Sequence, residues 1–283
     1  MTTSDHLITT QELSDAINSG SSEEIAILDC SWYLPTQQRN ARAEFESNHI
    51  PRASFFDIDA ISDKGSDLPH MLPTAESFSE SVGHLGIDNN SLVVAYDGAG
   101  LFSAARVWWM FHVFGHKNVR VLNGGFPKWL AEKRSVDHSV QPPTTRRFVA
   151  NKVNDLVVSM PKVLENCSSQ QALVLDARSS ARFEGTAPEP RPELSSGHVP
   201  GAISLPFDQL QSDGLLKPAK ELLAVFDELG VTGNDPIITT CGSGVTAAII
   251  TLALAEAGLG LHQLYDGAWS EWAAADNTPI IKV

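Results

Sequence analysis

Four short segments of the first half of the chain return, in the same order, in the second half. Ile27-Leu28-Asp29 recurs as Val174-Leu175-Asp176 at an offset of 147, and His49-Ile50-Pro51-Arg52-Ala53 as His198-Val199-Pro200-Gly201-Ala202 at 149. Val93 to Gly100 recurs as Ile237 to Gly244 at 144, and Asn123 to Trp129 as Asp266 to Trp272 at 143. A nearly constant, domain-sized offset is the mark of a tandem duplication, too long for a solenoid repeat of about 20–45 residues. The 283 residues are enough for two domains with cores of their own.

Each half reads as α/β. The apolar runs 25–28, 92–96, 172–175 and 237–240 are short and bounded by turn residues, as buried parallel strands are. Helical patterns lie between them, notably 103–114 and 245–257, and Thr9-x-x-Glu12 has the form of a capping box. The expectation is a mostly parallel sheet flanked by helices in each half. Gln141-Pro142-Pro143-Thr144-Thr145 interrupts any regular element, so the expected domains are 1–140 and 151–283 with a linker at 141–150. The stripe Val107 to Phe111 and the repeat-matched Trp129 and Trp272 read as core.

Composition excludes several classes. Hydrophobic residues at 42% and charged ones at 19% describe a globular chain. A net charge of -14 argues against a general nucleic-acid surface. No apolar run is long enough to span a membrane, and the start Met1 to His6 lacks the cationic and apolar regions of a secretory signal. Cys30, Cys167 and Cys241 are odd in number and far apart, which suggests neither a disulfide framework nor a zinc site and makes the cytoplasm the expected compartment.

One cysteine stands in a special context. An apolar strand runs into Cys241, and the loop Gly242-Ser243-Gly244 leads into an apolar helix. Glycines let successive N–H groups turn inward as an anion nest, and the helix start adds a positive dipole end. Both favour thiolate over thiol, so Cys241 is the expected nucleophile. Cys30, which stands where the second half has Ala177, and Cys167 read as small buried hydrophobes. The first half has Asp97 where the second has Cys241, and a carboxylate cannot form a persulfide. Cysteine phosphatases share this kind of loop but need an arginine about six residues on; Ala247 is there instead.

The stretch Cys241-Gly-Ser-Gly-Val-Thr-Ala247 resembles the active-site loop of the 3-mercaptopyruvate sulfurtransferases, a branch of the rhodanese superfamily. Leu175-Asp-Ala-Arg178, Arg182-Phe183-x-Gly185, Pro188-Glu-Pro-Arg191, Gly197-His-Val-Pro-Gly201, Asp57-Ile58-Asp59, His70-Met-Leu-Pro73 and Leu122-Asn-Gly-Gly125 are similar to the same family, so the resemblance covers almost the whole chain. It implies two rhodanese-like domains with the active site in the C-terminal one, at the domain interface.

The resemblance also implies roles. Arg182 and Arg191 match the family's substrate-binding arginines, and a guanidinium fork suits a carboxylate. Gly242, Gly244, Val245 and Thr246 would complete the binding loop. Ser243, His70 and Asp59 would handle the proton, with His70 and Asp59 reaching across from the first half. Arg178 would brace the loop by pairing with Asp176 or another acid. His49 and His198, duplicated in an inactive half, would be structural. Thiosulfate-using rhodaneses place cations just after the cysteine, and this loop has none, which favours 3-mercaptopyruvate as donor; thiosulfate is the alternative. A thiol such as reduced thioredoxin is the implied acceptor, with cyanide as a substitute in an assay, and no metal or organic cofactor is implied.

Overall fold

The computed structural model describes residues 4–19, 25–233 and 235–283; Met1 to Thr3, the start of the stretch examined for a secretory signal, lie outside them. The described chain forms two compact units. The first comprises residues up to Asp63, Pro73–Val153 and Asp213–Leu216; the second comprises Lys64–Leu72, Asn154–Ser212 and Lys217–Val283.

The first unit runs β1 (Leu7–Ile8), α1 (Thr10–Asn18), β2 (Ile25–Asp29), α2 (Ala41–Ser47), β3 (Ser54–Phe55), α3 (Ala75–His84), β4 (Leu92–Tyr96), α4 (Ala104–Val113), β5 (Val119–Leu122) and α5 (Gly125–Ala131). The second repeats that order with β6 (Val157–Val158), α6 (Met160–Ser169), β7 (Leu173–Asp176), α7 (Ser180–Glu184) and β8 (Ala202–Ser204). After the two-residue strand β9 (Gln211–Ser212) the chain contributes β10 (Leu215–Leu216) to the first unit, and the second continues with α8 (Ala219–Glu228), β11 (Ile237–Thr240), α9 (Ala247–Glu256), β12 (Gln263–Tyr265) and α10 (Ala268–Trp272). The sheets have matching orders, β1-β5-β4-β2-β3 and β6-β12-β11-β7-β8, and every pairing described in them is parallel. Helices flank them, as the patterning predicts.

The sequence features account for the elements. Thr9 caps α1 with both halves of a capping box: Glu12 N–H donates to Thr9 Oγ1 at 3.1 Å and Thr9 N–H to Glu12 Oε2 at 2.8 Å. Helix α9 is apolar on every side, and Ala247 through Ala255 are all buried, as an all-round apolar helix must be. Its alanines let the backbone approach its neighbours closely, so a larger residue at Ala248 or Ala253 would cost roughly 1–3 kcal/mol in overpacking. Helix α4 is buried along its whole length, Val107 to Phe111 included. Trp129 and Trp272 are buried, with indole N–H groups donating to Ser135 and Pro279 carbonyls at 2.8 and 3.0 Å. His49 and His198 stack on Phe45 and Phe183 and engage those residues' carbonyls through Nδ1 at 2.7 and 2.8 Å, a packing role in both units.

The compact units do not follow the sequence halves strictly. The stretch from His138 to Val153 has no helix or strand, but it packs onto the first unit: Arg146 N–H bonds the Gly83 carbonyl, Asn151 N–H that of Phe114, and Val153 N–H that of Val113. The other departure is an exchange of short segments. Leu72 N–H donates to Asp266 Oδ2 in the second unit, and Leu216 N–H to Asn123 Oδ1 in the first, both at 2.8 Å. Asn123 and Asp266 are repeat-equivalent, so equivalent loops are anchored alike at the same end of each sheet.

Candidate active site

Cys241 follows β11 directly and is 2% exposed. The sequence dictates this: the strand is buried on both faces, its chain leaves at the carboxyl end, and in open parallel sheets that end is where ligands bind. Gly244 turns the loop with φ +76°, a left-handed value that glycine takes without strain. Val245 and Thr246 then lead into α9, their carbonyls accepting from Ala248 and Ile249 N–H at 3.3 and 3.0 Å. Both residues lie between the turn at Gly244 and the first residue of α9.

The first unit shows what such a loop holds. Asp97 occupies the Cys241 position after β4, and its buried carboxylate fills the loop. Ala99 N–H donates to Oδ1 at 2.9 Å, while Phe102, Ser103 and Ala104 N–H groups donate to Oδ2 at 2.7, 3.0 and 2.9 Å. This is an anion nest at a helix start, occupied by the chain's own carboxylate. The segment from Asp97 to the start of α4 is one residue longer than that from Cys241 to the start of α9.

Two arginines are tied to the Cys241 loop, Arg182 directly and Arg191 through Ser270. A Cβ added at Gly242 would lie 3.0 Å from Arg182 Nη2, so the guanidinium sits against the peptide just after the cysteine. Glu189 Oε2 holds Arg182 through both Nε and Nη2, and the side chain stays about one-fifth exposed. Arg191 Nη1 donates to Ser270 Oγ at 3.3 Å, and Ser270 in turn donates to the Gly242 carbonyl. Arg178 is fully buried and braces the site, as its place after Asp176 suggested: it pairs with Asp176 at 2.7 Å and Glu189 at 2.8 Å, and stacks over Trp269. Burial works against its charge, but the two carboxylates hold the guanidinium above its ordinary pKa.

His70 lies in the segment that joins the second unit. It is buried, and its Nδ1 stands 3.1 Å from Ser243 Oγ. Asp59 belongs to the first unit, where its exposed carboxylate accepts from Trp32 Nε1 at 3.1 Å beside a cavity of about 270 Å³. Cys30 is fully buried, and burial pushes its thiol up; the half-buried Cys167 thiol is pushed up for the same reason. Neither stands at a loop like that of Cys241.

Two residues escaped the sequence reading. Glu189 sits inside the quoted Pro188-Glu-Pro-Arg191 motif, but its clamp on both Arg178 and Arg182 depends on a fold-back that no periodicity reveals. Ser270 had a signal within the repeat: the first half has Pro127 at its position, so only one half retains a donor there.

Comparison with known proteins gives a consistent picture. Residues 9–132 and 159–275 each match the rhodanese-like domain family. The chain is 42% identical over 270 residues to the 3-mercaptopyruvate sulfurtransferase of Rattus norvegicus, covering 94% of this chain and 91% of the relative. It is 44% identical over 282 residues to the mitochondrial thiosulfate/3-mercaptopyruvate sulfurtransferase 1 of Arabidopsis thaliana, covering 92% and 74%. The crystal structure of SseA, a 3-mercaptopyruvate sulfotransferase from Escherichia coli, superposes with a TM-score of 0.84 at 39% identity over 93% of this chain and 98% of that one.

Proposed function

The chain belongs to the rhodanese family, and we propose that it is a sulfurtransferase that carries sulfur from 3-mercaptopyruvate to a thiol through a persulfide on Cys241. The observation that carries the donor is the division of labour at the loop. The loop itself has no cation, while Arg182 lies against its backbone at Gly242 and Arg191 is tied to it through Ser270, both from the preceding segment. A donor whose negative charge lies on a carboxylate remote from its sulfur suits that arrangement; a compact dianion such as thiosulfate suits cations placed on the loop.

In the first step the Cys241 thiolate attacks the donor sulfur. The S–S bond forms as the C–S bond breaks, and its electron pair leaves with the pyruvate enolate, which takes a proton at carbon. The donor's thiol proton passes to the Ser243–His70 pair, whose 3.1 Å contact supports that role. The repeat supports it too, because Ala99 and Gly214 stand at the equivalent positions of the first unit. For Asp59 the support is the resemblance alone. The persulfide, an anion at the start of α9, is stabilised by loop N–H groups in the way the Asp97 carboxylate is. An acceptor thiolate then attacks the outer sulfur and frees Cys241.

The test is the ratio of kcat/KM for 3-mercaptopyruvate and thiosulfate, together with intact mass after donor treatment. A clear thiosulfate preference overturns the donor, and a gain of about 32 Da, one sulfur atom, that persists in Cys241→Ala overturns the persulfide site. A cytoplasmic location and thioredoxin as acceptor are further parts of the proposal. They rest on three unpaired cysteines and on family analogy, and cell fractionation and an assay coupled to thioredoxin reductase test them. No helix among the described residues is long and apolar enough to cross a membrane.

A further inference from the structure

The peptide that follows the nucleophile is anchored by a side chain with no part in the mechanism above. Ser270, itself buried, donates to the Gly242 carbonyl twice, from Oγ at 2.7 Å and from its backbone N–H at 2.9 Å. Its hydroxyl also accepts from Arg191 Nη1 at 3.3 Å. One serine thus joins an arginine expected to hold the donor to the Gly242–Ser243 peptide of the sulfur-binding loop.

The geometry of a trans peptide gives this anchor a consequence. The carbonyl of Gly242 and the N–H of Ser243 belong to one rigid plane and point in opposite directions. Holding the carbonyl on Ser270 therefore fixes where the Ser243 N–H points. The first unit shows the use of that N–H: the equivalent Ala99 N–H donates to the anion in the nest, Asp97 Oδ1, at 2.9 Å.

The same comparison supplies a control. The backbone contact preceding the anchor is common to both units: Trp269 N–H bonds the Cys241 carbonyl at 2.9 Å, and Phe126 N–H bonds that of Asp97 at 3.0 Å. At the next residue the units part. Pro127 replaces Ser270 and has neither N–H nor hydroxyl. The Gly98 carbonyl is left with contacts of 3.4 and 3.5 Å from Arg39, which is paired with Glu44. The short double anchor from one residue, with its relay to Arg191, is present in the half with the cysteine; in the half without it the two longer contacts from Arg39 stand in its place.

We propose that Ser270 is a positioning residue that locks the Gly242–Ser243 peptide so that its N–H serves the persulfide of Cys241, and that ties this lock to Arg191. It acts through the loop and touches neither donor nor sulfur. The role of Arg191 in it rests on the proposed function above.

The test uses the full-length protein with Ser270→Ala and Ser270→Thr, each also combined with Arg191→Lys. Ser270→Ala is expected to lower kcat for 3-mercaptopyruvate about tenfold, the scale of one weakened oxyanion donor. Ser270→Thr, which keeps the hydroxyl, should recover most of the loss. In the Arg191→Lys background the effect of Ser270→Ala should shrink to about threefold or less, because coupled residues are not additive. An unchanged kcat in a folded Ser270→Ala protein, or an equal loss in both backgrounds, overturns the proposal. If Ser270→Ala fails to fold, Ser270→Cys, with a weaker donor of similar size, is judged by the same criteria. If the wild type transfers no sulfur from 3-mercaptopyruvate, the donor assignment fails by itself. The positioning role is then judged by the lifetime of the Cys241 persulfide loaded from thiosulfate: faster decay in Ser270→Ala supports it, and equal decay overturns it.

Discussion

His70 stands where the other unit has Gly214, two residues before a leucine whose N–H is held by a side chain at the same end of the sheet. Both residues are left-handed, with φ of +60° and +76°. Glycine takes that conformation freely, whereas a residue with a Cβ pays about 1 kcal/mol or more for it. The second unit accepts that strain and, in doing so, brings an imidazole to Ser243.

This relationship selects the informative substitution at His70. His70→Gly removes the imidazole and relieves the backbone, while His70→Ala keeps the strain. We expect His70→Gly to retain the stability of the wild type within about 1 kcal/mol while kcat for 3-mercaptopyruvate falls about 100-fold, the low end for a lost acid–base group. Steady-state kinetics with a thermal melt checks both, and wild-type turnover in His70→Gly sinks the proton-handling role.

Gly242 is required for its lack of a side chain, not for its φ. Its missing Cβ leaves room for Arg182 Nη2, which would otherwise be 3.0 Å away. Gly242→Ala should displace the guanidinium by a few tenths of an ångström. The expected result is a rise of about tenfold in KM for 3-mercaptopyruvate, since small misplacements of a positioning group are costly. A saturation curve measures it, and an unaltered KM would separate Arg182 from donor binding.

Asp97 serves the first unit as a structural anion. Asp97→Asn keeps its size but puts an amide where several N–H donors converge, so at least one buried donor loses its acceptor. The expected loss is about 3 kcal/mol in the stability of that unit, read by urea denaturation followed through its tryptophans. Persulfide formation on Cys241 in the folded protein should remain, because the nest it uses belongs to the other unit.

Two buried groups in the first unit give opposite pH dependences. Burial, with smaller contributions from nearby cations, pushes His112 down to about 4 from 6.5. Between those values the unfolded chain holds a proton that the folded one refuses, so stability falls as pH drops, by about 1.4 kcal/mol per unit. Burial pushes Asp29 up to about 6 from 3.8. In that window the folded state holds the extra proton, so stability rises as pH drops. The two slopes oppose each other between about pH 4 and 6. Asp29→Asn should therefore show a steeper acid loss than the wild type, and superimposable curves of urea midpoint against pH would refute the pairing.

The tandem duplication, the strand–loop–helix around Cys241 and Asp97 at the matching position were all legible in the sequence, because each is carried by residues close together in the chain. Alternating propensities and a repeat need no knowledge of distant contacts. The chain also determined the bracing role of Arg178, since Asp176 lies two residues away. Only the tertiary structure decided which unit His70 joins, because its partner Ser243 is 173 residues distant. The same holds for Leu72 and Asp266, 194 apart, and for Arg191 and Ser270, 79 apart. Such pairings depend on how the folded unit gathers distant segments at the carboxyl end of its sheet, and no local pattern encodes that. The proposed nucleophile was thus legible in the sequence; the shell around it exists only once the chain has folded.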